Sequence, residues 1–579
     1  MLEKVKIAID GIEMEVDKGT TVLEVARKAG IEIPTLCHLK GIHEASSCRI
    51  CLVEVGPRLM ASCTLVAEEG MKIQTNTPKV REARKTVIEL LLSDHKRECP
   101  TCLRSENCEL QSIANGFNLR NIRFEGERSK SGIDVSSLSV VRDAEKCILC
   151  GRCVTVCGNV QTVHAIGFAN RGFHTTIAPA YQKPLADAIC VNCGQCIMTC
   201  PVGALYEKEN IEDVWKAIAD PGKFVVAQTA PAVRVALGEE FGLPIGTRVT
   251  GKMVAALRKL GFDKVFDTDF AADLTIMEEG TELLKRLGTG ENLPLMTSCC
   301  PGWVKFVEQF YPDMLDNLST CKSPHQMEGA LIKSYFASKM GIDPQKIVVV
   351  SIMPCVAKKF EGQREELSFN GLQDVDYVLT TRELAQMIKE GGIDFVNLPD
   401  ESFDNPFGEG TGAGVIFGAT GGVAEAALRT VFELVAGKEL DTVEYTAVRG
   451  IEGIKEATIE LPNGKTIHTA VASGLGNARK IFDMVKRGEK SYQFIEVMAC
   501  PGGCVTGGGQ PIVDPQTMEK INLKAERAKA IYEEDRDLPL RKSHQNPYIQ
   551  KIYEEFLVET NGHVSHEYLH THYLKRNKF

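Results

Sequence analysis

Thr297-Ser298-Cys299-Cys300-Pro301-Gly302-Trp303 sets two adjacent thiols at a turn. Two later stretches repeat the device: Met353-Pro354-Cys355-Val356-Ala357-Lys358-Lys359 and Glu496-Val497-Met498-Ala499-Cys500-Pro501-Gly502-Gly503-Cys504. Each joins cysteine to Gly or Pro and so reads as a tight turn that carries a thiolate. Around them, apolar runs such as Phe224-Val225-Val226-Ala227 and Ile347 to Ile352 alternate with helical periods such as Met253 to Leu260. That alternation predicts α/β structure with buried, mostly parallel strands from about residue 210. Cys300 and Cys355 then fall in turns after strands, where such sheets place their sites. If the three stretches meet in space, Cys300, Cys355, Cys500 and Cys504 supply four soft ligands to one iron–sulfur unit.

Upstream the pattern is all cysteine spacing. Val5 to Val16 alternates across Asp10-Gly11, which predicts a hairpin. A short amphipathic helix follows, with Thr20 or Thr21 as cap and Gly30 beyond its end. Cys37, Cys48, Cys51 and Cys63 come next, separated by 10, 2 and 11 residues. A hairpin, a helix and a long cysteine loop resemble a plant-type ferredoxin with altered spacing. Zinc is the competing reading, but zinc loops usually carry two C-x2-4-C knuckles and this one carries a single pair. Val80 to Leu92 is helical, and His95, Cys99, Cys102 and Cys108 follow it; a lone histidine after a helix is usually a surface residue, but three cysteines leave a [4Fe–4S] site one ligand short and imidazole is an accepted substitute. Residues 109–140 lack a strong period and read as a connection. Then a repeat appears: Cys147, Cys150, Cys153 and Cys157, followed by Cys190, Cys193, Cys196 and Cys200-Pro201. In this two-cluster ferredoxin pattern the fourth cysteine of each run serves the other cluster. Cys147, Cys150, Cys153 and Cys200 therefore form one set, and Cys157, Cys190, Cys193 and Cys196 the other.

The bulk numbers agree with a cytosolic, metal-binding protein of several domains. The chain has 579 residues, so several domains are expected. A formal charge of -10 offers no basic face for nucleic acid. No apolar run reaches membrane-spanning length, and no export signal precedes the first strand, so a cytoplasmic protein is expected. The 21 cysteines lie mostly in C-x2-C groups, which favours metal over disulfides. No G-x-G-x-x-G follows a strand, so the chain is not expected to bind a nicotinamide nucleotide itself. The turn Gly418-Ala419-Thr420-Gly421-Gly422 reads as a close backbone approach. Residues 520–579 are charged and helix-prone, and His566, His570 and His572 read as a solvated tail rather than a metal site.

The three late cysteine stretches resemble the signatures of the iron-only, or [FeFe], hydrogenases in residues, order and separation, and the resemblance runs over almost the whole chain. It implies an α/β and α+β multidomain protein: a β-grasp [2Fe–2S] ferredoxin domain at 1–79, a His/Cys3 [4Fe–4S] domain at 80–125, a two-cluster ferredoxin domain at 126–209, a large α/β catalytic domain at 210–519, and a small-subunit-like segment at 520–579. It implies an H-cluster, a [4Fe–4S] cubane bridged through Cys504 to a diiron unit carrying CO, cyanide and a bridging dithiolate. It further implies that Cys299 gives and takes the proton, that Glu279, Ser319 and Glu282 relay it, and that Lys358 hydrogen-bonds a cyanide. Pro231, Met353, Phe417 and Met498 would line the pocket. Read without the family, Glu279, Glu282 and Arg286 share one helix face that is ordinarily solvated. Ala232 stands where serine is usual, which removes a hydrogen bond at the pocket. His325 stands where glutamine is usual and alters its edge. Nineteen of the 21 cysteines fall in cluster sets; Cys299 and Cys321 remain, the latter as a buried free thiol.

The activity implied is reversible H2 oxidation and proton reduction, wired through one [2Fe–2S] and three accessory [4Fe–4S] clusters. Ferredoxin is the default partner. Gly30 to Cys37 and Cys48-Arg49-Ile50-Cys51 look more like NAD(P)-linked multisubunit hydrogenases. That implies a flavin-containing NAD(P)-oxidising subunit, a small [2Fe–2S] subunit, and electron bifurcation.

Overall fold

The computed structural model describes residues 3–129, 132–437, 439, 444–460, 464 and 466–577. The N-terminal hairpin pairs Lys4–Ile9 with Ile12–Asp17. Asp10 and Gly11 take φ of 49° and 85°, the left-handed pair that a two-residue turn needs. Lys72–Gln74 joins Lys4–Ile9 in parallel, and Leu52–Val55 and Arg58–Ala61 complete a five-stranded sheet. Helix Val22–Lys28 starts at Thr21 with a capping box to Glu24 and buries Val22, Leu23, Val25 and Ala26 on that sheet.

Helix Pro78–Asp94 ends at His95. The stretch read as a connection holds helix Glu109–Gly116, which Cys108 opens. It is too short for a periodic signal and is held by tertiary packing: Leu110 is buried in one core with Ile88, Cys153 and Leu205. In the cysteine repeat, Gly151 (φ 85°) and Gly194 (φ 70°) occupy equivalent places. Each opens a short helix, Arg152–Thr155 and Gln195–Thr199.

Beyond residue 210, apart from a small hairpin of Ser368–Phe369 and Leu372–Gln373, the strands form two four-stranded sheets among the described residues. One is wholly parallel, in the order Lys264–Asp267, Phe224–Thr229, Ile347–Met353, Tyr377–Thr380. The other runs Leu295–Met296, Phe494–Met498, Thr466–Ser473, Ile454–Glu460, and only its last pair is antiparallel. Leu295–Met296 is two residues long, which left no strand pattern to read. The carboxyl ends of strands from both sheets lead into Ala230-Pro231, Thr297 to Cys300, Pro354-Cys355 and Ala499-Cys500, so the signature turns share one end of the fold.

In the C-terminal segment His566 and His572 are exposed, as expected of a solvated tail, but His570 is docked on the body. His570 is 7% exposed and pairs in antiparallel bridge with Cys321, while Lys322 N–H donates to the Leu569 carbonyl at 2.8 Å. Helix Leu523–Asp537 is tied to the body by Arg429, a 0% exposed guanidinium that holds Asp535 at 2.8 and 2.9 Å and Glu425 at 2.8 Å. Arg429→Met leaves both carboxylates buried with less compensation and is expected to cost about 3–5 kcal/mol. A lowered thermal midpoint of the holoprotein, with earlier proteolytic release of the C-terminal segment, checks this. No helix among the described residues is long and apolar enough to cross a membrane.

Candidate active site

Glycines let the three signature stretches touch. Ala499 N–H points at Cys300 Sγ, 3.4 Å away, joining the third stretch to the first. A Cβ on Gly507 would lie 2.0 Å from the Pro354 carbonyl oxygen, and Gly509 N–H donates to that oxygen at 2.9 Å, joining the third to the second. A Cβ on Gly503 would lie 2.6 Å from Thr420 N, and one on Gly422 would lie 1.7 Å from the Ile416 oxygen. Only glycine fits such approaches. The turn at 418–422 is therefore a backbone contact against the Cys500–Cys504 loop.

Together these turns enclose a cavity lined by Cys299, Cys300, Cys355, Cys500 and Cys504, with Pro231, Met353, Phe417, Met498 and Lys358 around them. Ala232 and His325 also line it. The free volume is about 90 Å³ for the centres of water-sized spheres, several times what one water needs. Burial pushes the Cys355 thiol up to about 12, and Cys300, Cys500 and Cys504 are also raised by burial. Four thiols at the cavity wall, Cys500 buried and Cys300, Cys355 and Cys504 half-buried, with so little anion stabilisation, suit a cationic iron group that takes them as thiolates. Among the described residues no three His, Cys, Asp or Glu side chains converge tightly enough for a single metal ion. Thiols set around a cavity fit a multi-iron cluster rather than a lone zinc.

The other cysteine sets gather too. One cavity is lined by Cys147, Cys150, Cys153 and Cys200, and another by Cys157, Cys190, Cys193 and Cys196. In the N-terminal loop Cys51 and Cys63 Sγ lie 3.3 Å apart, and Cys48 N–H points at Cys37 Sγ, 3.5 Å away. His95 is buried, burial lowers it to about 4, and its Nδ1 has no hydrogen-bond partner. A neutral imidazole with a buried spare nitrogen fits a ligand. Cys321 is a fully buried free thiol in the core.

Helix Thr268–Thr289 carries Glu279, Glu282 and Arg286, and all three are buried rather than solvated. Ser319 Oγ donates to Glu282 Oε2 at 2.9 Å, and Arg286 Nη2 donates to Oε1 at 2.6 Å. Burial, then the charge of Glu282, raises Glu279 to about 8. Burial, then Glu279, raises Cys299.

Two residues escaped the sequence reading, Glu361 and Thr320, and His570 reads there only as part of a tail. Glu361 Oε2 receives Lys358 Nζ at 2.7 Å and lies 2.6 Å from His325 Nε2. The i,i+3 spacing of Lys358 and Glu361 was the available signal. Thr320 N–H donates to Glu282 Oε2 at 3.2 Å, and Thr320 Oγ1 lies 2.8 Å from His570 Nδ1. No local pattern links positions 320 and 570.

Comparison with known proteins adds the following. Residues 223–508 match the model "Iron only hydrogenase large subunit, C-terminal domain", and residues 521–576 match "Iron hydrogenase small subunit". Residues 3–78 match a 2Fe-2S iron-sulfur cluster binding domain. Residues 84–123 match the NADH-ubiquinone oxidoreductase-G iron-sulfur binding region, and residues 138–206 the ferredoxin-like domain of NADH-quinone oxidoreductase subunit 3. NADP-reducing hydrogenase subunit HndD of Solidesulfovibrio fructosivorans is 52% identical, over 99% of each chain. Iron hydrogenase 1 of Clostridium pasteurianum is 44% identical, over 98% of this chain and 100% of its own. Among solved structures, a variant of the apo [FeFe]-hydrogenase HydA1 from Chlamydomonas reinhardtii aligns with a TM-score of 0.56 at 44% identity, over 63% of this chain and 98% of that one.

Proposed function

The chain belongs to the iron-only, or [FeFe], hydrogenases, and on that premise we propose that Cys300, Cys355, Cys500 and Cys504 hold the iron cofactor at which H2 and protons interconvert. The observation that carries this is the convergence of thiols from three remote stretches on one buried cavity. When bound, the diiron unit supplies the metal site where H2 is split or formed. The protein orients it, excludes water and moves the proton.

Pro231, Met353, Phe417 and Met498 form the apolar wall. Lys358 has three N–H donors. Two are spent, on Glu361 and on the Cys299 carbonyl at 3.1 Å, which leaves one for a cyanide nitrogen in the cavity. Cys299 Sγ carries the proton at the cavity end of the relay. Glu279, protonated at neutral pH, exchanges it between that thiol and Ser319 Oγ, and Ser319 is hydrogen-bonded to Glu282. Arg286 fixes the Glu282 carboxylate from the far side.

Electrons travel through the crossed cysteine sets, the His95, Cys99, Cys102 and Cys108 set, and the N-terminal set of Cys37, Cys48, Cys51 and Cys63. The total is one [2Fe–2S] and three accessory [4Fe–4S] clusters. The similarity to a relative named as an NADP-reducing hydrogenase subunit supports an NAD(P)-linked assembly over ferredoxin alone; a flavin-bearing NAD(P) partner and a small [2Fe–2S] subunit would complete it. Bifurcation between ferredoxin and NAD(P), in the cytoplasm, goes with that assembly.

Anaerobic maturation followed by H2 evolution from reduced viologen tests the activity. Turnover with cyanide and carbonyl infrared bands is expected; a fully loaded protein without turnover would make it a non-catalytic relative. Affinity purification from the native host is expected to bring the flavoprotein along. Recovery as a single polypeptide would count against the NAD(P)-linked assembly.

A further inference from the structure

Helix Pro301–Phe310 lies between two of the cysteine-lined cavities. Its N-cap, Cys300, faces the catalytic one. Gly302 rests on the loop of the second ferredoxin run: a Cβ there would be 3.5 Å from the Val191 oxygen and 3.6 Å from Cys193 Cβ. Lys305 is three residues further on, on the same helix face. It is 9% exposed, and its ammonium sits 4.2 Å from the centroid of the Phe360 ring. Among the described residues it makes no salt bridge and no hydrogen bond.

The charges around Lys305 cancel without it. Arg364 and Arg576 share Glu308, which is 0% exposed, and both also reach Glu366 at 3.1 Å. Two guanidiniums and two carboxylates sum to zero. Beyond those four groups, the charge of Cys190, on the loop that Gly302 rests against, also acts on Lys305. A buried ammonium with no counter-charge is strongly disfavoured, so its partner belongs on the Cys190 side.

The twin site differs. Beside Cys147, Cys150, Cys153 and Cys200 the buried cation is Arg152, and Glu109 neutralises it through contacts of 2.6 and 2.9 Å. The repeat thus builds two similar thiol cages, one beside a compensated cation and the other beside an uncompensated one.

We propose that Lys305 is the counter-charge of the [4Fe–4S] cluster on Cys157, Cys190, Cys193 and Cys196, and sets its midpoint potential above that of its twin. This rests on the reading of those cysteines as cluster ligands. Reduction adds one electron to the cluster, and a fixed positive charge nearby stabilises the reduced form more than the oxidised one. Cys193 lies within charge range of both Cys355 and Cys500. Electrons from the outer clusters therefore collect next to the catalytic cavity.

The test is an anaerobic EPR-monitored redox titration of the holoprotein as wild type, Lys305→Met and Lys305→Arg. The inner cluster's signal is identified as the one altered in Cys190→Ala. Lys305→Met is expected to shift that one midpoint to lower potential and leave the other accessory clusters unmoved. Lys305→Arg keeps the charge and is expected to stay near wild type. An unmoved midpoint in Lys305→Met at full iron content overturns the proposal. A wild type with no signal sensitive to Cys190→Ala overturns the ligand reading beneath it. If the methionine variant does not load, Lys305→Gln takes its place. Failure of both neutral variants with normal loading of Lys305→Arg supports the counter-charge. Failure of all three assigns Lys305 to packing, and the proposal falls.

Discussion

Glu279→Gln is expected to abolish H2 turnover while iron content and the cyanide and carbonyl infrared bands stay at wild-type levels. Glu279 is 2% exposed, and burial with the nearby Glu282 charge raises it to about 8. Near pH 7 it is a neutral acid that both donates and accepts. A glutamine amide holds the same shape and passes no proton. A loss of at least about 10²-fold follows from the usual worth of positioned acid–base groups. The same variant is expected to melt higher. Between the ordinary 4.5 and about 8, the folded state holds a proton that the unfolded chain has released. Stability therefore falls as pH rises through that window, by about 3 kcal/mol at pH 7. The Tm advantage of Glu279→Gln is thus expected to widen from pH 5.5 to 7.5. A variant that keeps its activity, or melts lower, would remove Glu279 from the relay. Wild-type H2 evolution is expected to decline above about pH 8, where this carboxyl ionises.

That relay also marks where sequence reasoning runs out. Cysteine spacing is a local signal, so the two crossed sets that line separate cavities were legible, including the exchange of Cys157 and Cys200 between runs. Burial of Asp273 to Leu287 was not. With Asp273, Glu278, Glu279, Glu282 and Arg286 on one helix, the local pattern reads as a solvated face. What covers it comes from far along the chain. Asp273 accepts hydrogen bonds from Thr411, Ser543 and Asn546, and Glu278 is met by Tyr553, Asn561 and His570. The C-terminal segment thus covers the Asp273 and Glu278 positions of a polar helix. The two sides of that contact lie at least 270 residues apart. Helix Glu109–Gly116 failed differently: it is one short amphipathic turn pair whose stability comes from Leu110 in a remote core. The late signatures carried more than their cysteines, since Gly503 clears the Thr420 backbone and the Pro354 carbonyl is met by Gly507, three residues past the third stretch.

Lys358→Met is expected to lose the diiron unit while the accessory clusters load normally. Burial works against ionisation of Glu361, yet the Lys358 charge and then His325 hold it down at about 2. Burial, then the Lys358 charge, lowers His325 to about 4, so its imidazole is neutral. Its Nε2–H then donates to Glu361 at 2.6 Å, and Nδ1 accepts from Ser351 Oγ at 3.1 Å. The triad is neutral only with Lys358 present. Methionine leaves a buried carboxylate facing one imidazole, a change worth about 3–5 kcal/mol, and removes the one donor left for the cavity. Infrared spectra of matured Lys358→Met are expected to lack cyanide and carbonyl bands, with H2 evolution down at least about 10²-fold. His325→Gln restores an amide donor to Glu361 and is expected to stay within a few-fold of wild type. His325→Leu strips that donor and is expected to behave like a partial Lys358→Met. Equal cofactor retention in Lys358→Met and wild type would show that the cavity holds its metal group through the thiols and apolar walls alone.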